Sequence, residues 1–316
     1  MIRQRRGRPV TMDAIPPANP PMPLSSLLLA FSTALVWGFN YVVIAWGLRD
    51  TPPMLMAALR FGLAALPVVL VRPRPRLPVP WLAAYTLVNF VLQFWLLYGG
   101  MKAGVPAGLA SLVVQVQVFM TMGLGAGFLG ERARPGQWLG AAVAFAGVAL
   151  VGLRLPSLGG GRGYWMILGA ALCWAVVNHL VRHVGDVDLL ALVGWCSLFA
   201  APVMLALAAV LDGPAALARS VAHLSWRSLT LILYQAYPAT LYAFCIWSYL
   251  VRRHSASAVA PMSTLVPVLS MALGAICLGE AVTAWKAAAA GLVLGGLALN
   301  QWALARAPEV QGLPAS

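Results

Sequence analysis

Between residues 25 and 305 the chain alternates long apolar runs with short polar breaks. Ten runs reach the roughly 20 residues that a helix needs to cross the hydrocarbon core of a bilayer: 25–48, 53–71, 80–101, 105–129, 135–153, 163–181, 189–211, 228–251, 256–279 and 283–305. The breaks are rich in Pro, Gly, Arg and Asp, as in Arg72-Pro-Arg-Pro-Arg76 and Gly159-Gly-Gly-Arg-Gly163, and none is long enough to hold a soluble domain. The pattern predicts an all-α integral membrane protein of ten transmembrane helices. A basic, disordered tail is expected over 1–24 and a second tail over 306–316. Because a Pro-rich stretch, Pro16 to Pro23, separates the first arginines from the first run, that run reads as a retained helix rather than a cleaved export signal. Met12 and Met22 are alternative starts.

Composition narrows the class. Of 316 residues, 61% are apolar and 9% charged, against about 25% charged in a soluble domain, and the mean hydropathy is +0.84. That excludes a water-soluble globule, and it excludes disorder, which needs the opposite balance. The net charge of +13 does not point to nucleic acid, since the cations fall a few at a time between apolar runs and form no basic stripe. They read as topology instead. With the N-terminus inside, thirteen Lys and Arg lie in inner segments, seven in outer segments, and Arg60 stands within the second run. The positive-inside bias then places both termini in the cytoplasm.

An internal echo organises the runs. Met122-Gly-Leu-Gly-Ala-Gly-Phe-Leu-Gly-Glu131 returns as Met271-Ala-Leu-Gly-Ala-Ile-Cys-Leu-Gly-Glu280, with seven identities in ten positions at an offset of 149. Ala34-Leu-Val-Trp37 returns as Ala171-Leu-Cys-Trp174. The chain therefore divides into two five-helix repeats, 25–153 and 163–305, and because five is odd the second must be inverted. Inverted repeats give many secondary transporters two alternately open states around a midplane site.

Polar groups inside the runs are the candidates for that site. Trp37, Asn40 and Tyr41 share one helical face of the first run, and Trp174 and Asn178 take the related place in the sixth. Together they would make an amphipathic box for a small zwitterion; the competing reading is interhelical hydrogen bonding, worth about 0.6 kcal/mol per contact. Gln93, Gln115, Gln117, Gln235, Tyr237 and Tyr242 add donors and acceptors. Gln115 and Gln117 are about 200° apart on a helix, so one of the two is expected to face the cavity. Pro261 and Pro267 free carbonyls one turn earlier, Ser263 among them; these either accept a substrate ammonium or are satisfied within a kink. Arg60, about 11 Å of rise inside the second run, is expected to snorkel outward, to pair with Asp50 or helix-end carbonyls, or to meet a substrate carboxylate. His179 could relay protons. All eight acidic residues lie in tails, loops or span ends, so proton coupling would fall to Glu131, Glu280 or His179, or be missing as in a facilitator. Cys173, Cys196, Cys245 and Cys277 stand alone and form no metal or disulfide pattern. No cofactor is expected, and no HExxH motif or cluster of buried carboxylates suggests an enzyme.

At this point a family becomes visible. Trp37-Gly-Phe-Asn-Tyr-Val-Val-Ile44, Pro52-Pro-Met-Leu-Met-Ala-Ala-Leu-Arg-Phe61, Pro106-Ala-Gly-Leu-Ala-Ser-Leu-Val-Val-Gln-Val-Gln117, Gly130-Glu-Arg132 and Val259-Ala-Pro-Met-Ser-Thr-Leu-Val-Pro267 resemble the EamA family of the drug/metabolite transporter superfamily. More particularly, they resemble its O-acetylserine/cysteine exporter branch. The resemblance implies a bacterial inner-membrane exporter of ten helices with a central cavity, and it carries over Asn40, Gln93, Gln115, Gln117 and Asn178 as matching positions. His179 departs from the family, where an apolar residue is expected. The expected partners are thus a small metabolite, membrane lipids and, for coupling, protons. A broader exporter of aromatic or amphipathic metabolites and drugs is the alternative within transport; a lipid scramblase or a membrane receptor is the alternative outside it.

Overall fold

The structure, a computed structural model, describes residues 22–182, 187–254 and 256–305. The tails expected over 1–24 and 306–316 fall almost wholly outside these residues. Every described element is helical, and ten helices are long and apolar enough to cross a membrane. We number them as spans one to ten: Leu24–Asp50, Pro53–Val71, Val79–Lys102, Ala107–Phe128, Pro135–Arg154, Gly161–Val181, Leu189–Asp212, Trp226–His254, Pro261–Leu278 and Ala284–Ala305. Their bounds fall within a few residues of the apolar runs, because in a bilayer a helix satisfies its own backbone and length follows from hydrocarbon thickness. The chain is a multi-pass membrane protein. The face that carries Leu24 and Ala305 is called here the terminal face, and the other the far face.

One element was not legible in the apolar pattern. Between spans seven and eight a nine-residue helix, Pro214–Ala222, follows the left-handed Gly213. It is too short for a span, and its charge, Arg219, lies in the last turn where it suits the helix dipole.

Packing pairs the two halves with each other. Span two runs along span seven and span five along span ten; span one meets spans eight and nine, and span six meets spans three and four. Exchanging each span for the one five away maps this set of neighbours onto itself. Spans five and ten approach closely enough that a methyl on Gly140 would sit 2.6 Å from the Gly296 carbonyl, so only small residues fit the seam. Gln137 Nε2 donates to Asn300 Oδ1 across the same seam at 3.2 Å.

Four spans are not continuous α-helix. Span three contains a π turn at Leu87–Leu92 and span eight another at Tyr237–Tyr242. In span eight Pro238 lies inside the turn and removes one backbone donor. Span four is interrupted between Ala107–Val114 and Gln117–Phe128, and in the ninth the helices Ala256–Ser263 and Leu265–Leu278 meet at Thr264. Spans four and six, the interrupted helix and the Asn178 helix, frame a cavity together with spans five and ten.

Candidate transport site

The interruption in span four decides what its two glutamines do. After Val114 the chain makes a tight turn through Gln115 and Val116 before the helix resumes. Gln115 Nε2 then donates to the Ser263 carbonyl at 3.1 Å, the carbonyl that Pro267 deprives of a helical donor. The freed carbonyl expected to receive a substrate ammonium is therefore occupied by a side chain from the other half. Gln117 turns to the other side and accepts from Asn178 Nδ2 at 2.8 Å, while the same amide also donates to Thr121 Oγ1 at 3.1 Å. His179 Nε2 lies 2.9 Å from the Thr121 carbonyl.

This group borders a cavity of about 410 Å³, lined by Gln117, Thr121, Glu131, Gln137, Asn178 and Asn300 among others. Its lining comes from spans four, five, six and ten at their terminal-face ends. Of the predicted site residues it gathers Gln117, Asn178 and Glu131. Gln137 and Asn300 were not anticipated; Gln137 stands at the polar start of the fifth run, three residues after Arg134, and Asn300 is the one amide before Gln301 in the tenth run.

The box of paired Trp and Asn faces is not formed. Trp37 turns to span eight, donating Nε1 to the Ala239 carbonyl at 3.1 Å and packing on Phe244 and Trp247 with ring centroids 5.7 and 5.4 Å away. The carbonyl is presented by the π turn, which a sequence reading of regular helices does not contain. Trp174 packs, half-buried, against the apolar core. Tyr242 faces outward, 40% exposed, bonded to Ser32 at 2.8 Å. Asn40 and Gln93 are buried, and the carbonyl oxygen of each amide has no hydrogen-bond partner.

Arg60 requires a second correction. It neither snorkels nor pairs with Asp50, which stands 3.8 Å from Arg227 at the far face. The side chain is 3% exposed; Nε donates to Thr240 Oγ1 at 3.0 Å and Nη1 to Tyr98 OH at 2.9 Å. Tyr98 in turn donates to Gln235 Oε1, and Thr240 donates to the Gln235 carbonyl at 2.8 Å inside the π turn. The guanidinium lies 4.6 Å above the Phe94 ring. Burial is tolerable because neutral hydroxyls and a ring face replace water around the charge.

The two ends of the molecule differ. At the far face Glu280 crosses from the end of span nine to the start of span four and accepts the Ala107 and Gly108 N–H groups at 2.7 and 3.2 Å. The space left beside it measures only about 10 Å³. At the terminal face the sequence-related Glu131 is exposed and borders the large cavity. The local turns are the same: the N–H of Glu131 bonds to the Gly125 carbonyl at 3.1 Å and that of Glu280 to the Gly274 carbonyl at 3.2 Å, each across a left-handed glycine, Gly130 and Gly279. Among the described residues no group of His, Cys, Asp and Glu could hold a metal ion.

The model of the EamA-like transporter family matches residues 24–153 and 161–302. The chain belongs to this family. It is a transporter, and not an enzyme. A relative from Salmonella typhimurium named "Probable amino-acid metabolite efflux pump" is 38% identical over 280 residues, covering 86% of this chain and 93% of its own. A relative of the same name from Escherichia coli is 36% identical, covering 88% and 95%. A crystal structure at 23% identity matches 87% of this chain and 96% of its own with a TM-score of 0.60, a likeness of fold alone.

Proposed function

We propose that this transporter exports small amino-acid metabolites of the O-acetylserine and cysteine type by alternating access, from a bacterial inner membrane with both termini in the cytoplasm. In this reading 25–153 and 163–305 are inverted repeats, the terminal face is cytoplasmic, and the structure is an inward-open state. The observation that carries the reading is the unlike setting of two like carboxylates, Glu280 sealed against span four and Glu131 beside an open cavity. The set of neighbouring spans maps onto itself when the halves are exchanged, so the unlike ends could exchange too, opening the far face and closing the terminal one.

The efflux-pump names of the relatives support the substrate class and the direction. The chemistry of the cavity supports it as well: Gln117, Asn178, Asn300 and Gln137 offer amides suited to a small polar solute. Glu131, Glu280 and His179 are the groups through which a proton gradient could be coupled. Counterflow of labelled O-acetylserine and cysteine in proteoliposomes, across a pH gradient, tests the proposal. Label should exchange faster than in protein-free liposomes, and expressing cells should accumulate less of either compound; identical rates in loaded and empty vesicles overturn it.

A further inference from the structure

Spans four and nine are built alike. Their first helices start at Ala107 and Ala256, and the breaks that follow fall at Gln115 and Thr264. Each start and each break are 149 residues apart, the offset that also relates Glu131 to Glu280. At the far face the two spans are joined: Leu265–Leu278 packs along Ala107–Val114, and Glu280 accepts the Ala107 and Gly108 N–H groups at 2.7 and 3.2 Å. At the terminal face the related pair is parted. Among the described residues Gln117–Phe128 has no comparable packing on Ala256–Ser263, which lies against spans one and eight instead.

Glu131 nonetheless holds the pose of its counterpart. Its N–H bonds to the Gly125 carbonyl as that of Glu280 bonds to the Gly274 carbonyl, and each carboxylate lies back over the same glycine. A methyl on Gly125 would meet Glu131 Cδ at 2.8 Å, and one on Gly274 would meet Glu280 Oε2 at 2.9 Å. What distinguishes the two faces is therefore where the partner helix lies, and not how the carboxylate is carried.

We propose that Glu131 is the latch of the closed terminal face. When that face closes, the start of Ala256–Ser263 comes onto Gln117–Phe128, and the Glu131 carboxylate accepts the N–H groups of Ala256 and Ser257. These belong to a first helical turn, whose N–H groups find no partner within the helix and whose end of the dipole favours a negative charge. The contact shuts the mouth of the cavity that Glu131 and Met122 border, while release of Glu280 from Ala107 and Gly108 opens the far face. A solute loaded from the terminal side thus leaves by the far side, with one carboxylate docked in each state. The inference rests on the alternating-access reading and adds the contact that holds its second state.

The test is disulfide trapping of the full-length protein in proteoliposomes, with Cys173, Cys196, Cys245 and Cys277 replaced by Ala. A Cβ on Gly108 would stand 3.3 Å from Met271 Cβ, close to the separation of about 3.8 Å in a disulfide, so Gly108→Cys with Met271→Cys reports the sealed far face. The related pair at the same offset, Ser257→Cys with Met122→Cys, reports the closed terminal face. Both pairs should cross-link on oxidation with copper phenanthroline. Glu131→Ala should slow the terminal pair at least about fivefold, the scale of a lost helix cap, and leave the far pair as fast or faster; Glu280→Ala should do the opposite. Because the far pair must still cross-link in the Glu131 variant, a folding defect is told apart from a lost latch. A terminal pair that never cross-links while the far pair does, a rate untouched by Glu131→Ala, or equal slowing of both pairs overturns the latch. Trapping that depends on Glu131 in a protein without counterflow of O-acetylserine or cysteine would retain the latch and remove the substrate reading; counterflow without trapping would do the reverse.

Discussion

Glu280 accepts the backbone N–H of Ala107 at 2.7 Å, so a carboxylate at the end of span nine caps the first turn of span four. The bond joins opposite halves of the chain across 173 residues. A carboxylate at a helix N-terminus satisfies donors that the helix itself cannot, and it meets the positive end of the dipole. Removing it should loosen the far face. Glu280→Ala should weaken the seal by about 1–2 kcal/mol, raising the labelling of Leu109→Cys by a membrane-impermeant thiol reagent about tenfold. Glu280→Gln should have a smaller effect, since it keeps an acceptor and loses the charge. Unchanged labelling in both variants would remove Glu280 from the seal.

Gly108 lies beside that cap. A methyl group there would meet Met271 Cγ at 2.8 Å and its Cα at 3.0 Å, where backbone cannot give way easily. Gly108→Val should therefore prop spans four and nine apart at the far face. Membrane insertion and yield should be near normal, while counterflow should fall at least tenfold because the sealed state is not reached. Full activity in this variant would show that the close approach is dispensable.

Gln115 satisfies a carbonyl that Pro267 orphans. Gln115→Leu should lower thermal stability by about 1–2 kcal/mol, the cost of an unmet polar group. Pro267→Ala restores a backbone N–H four residues after Ser263, and in that background the same Gln115→Leu change should cost much less. A melting-temperature cycle over the four proteins measures the coupling; strict additivity would contradict the contact.

Asn178 and Gln117 bridge spans six and four at 2.8 Å on the cavity wall. Such bridges in membranes average about 0.6 kcal/mol, so Asn178→Ala should alter stability only slightly. If the cavity holds substrate, the same variant should raise the KM for counterflow several-fold with little change in expression. An unaltered KM would assign Asn178 to structure alone.

What a reader of the chain could see, and what was hidden, follows a physical divide. The ten spans, the related Gly-Glu ends and the membrane class are one-dimensional facts: apolar length against bilayer thickness, and repetition at a set offset. Gln115 and Gln117 were legible as a pair of which one should line the cavity. Which one does so depended on the break at Gln115–Val116, and that break is stabilised by a carbonyl 148 residues away. The setting of Trp37 was hidden in the same way, because the π turn at Tyr237–Tyr242 presents the Ala239 carbonyl to span one.

The sequence by itself determined that this protein lives in a membrane as ten helices and belongs among transporters, since water and lipid sort residues by polarity before any tertiary contact forms. Only the tertiary structure decided that Glu280 is bound at a sealed end while Glu131 borders an open one, and that Arg60 is buried among neutral partners. Like residues in related segments acquire unlike surroundings through packing between the halves. That difference lies in contacts across more than a hundred residues, which no local pattern encodes.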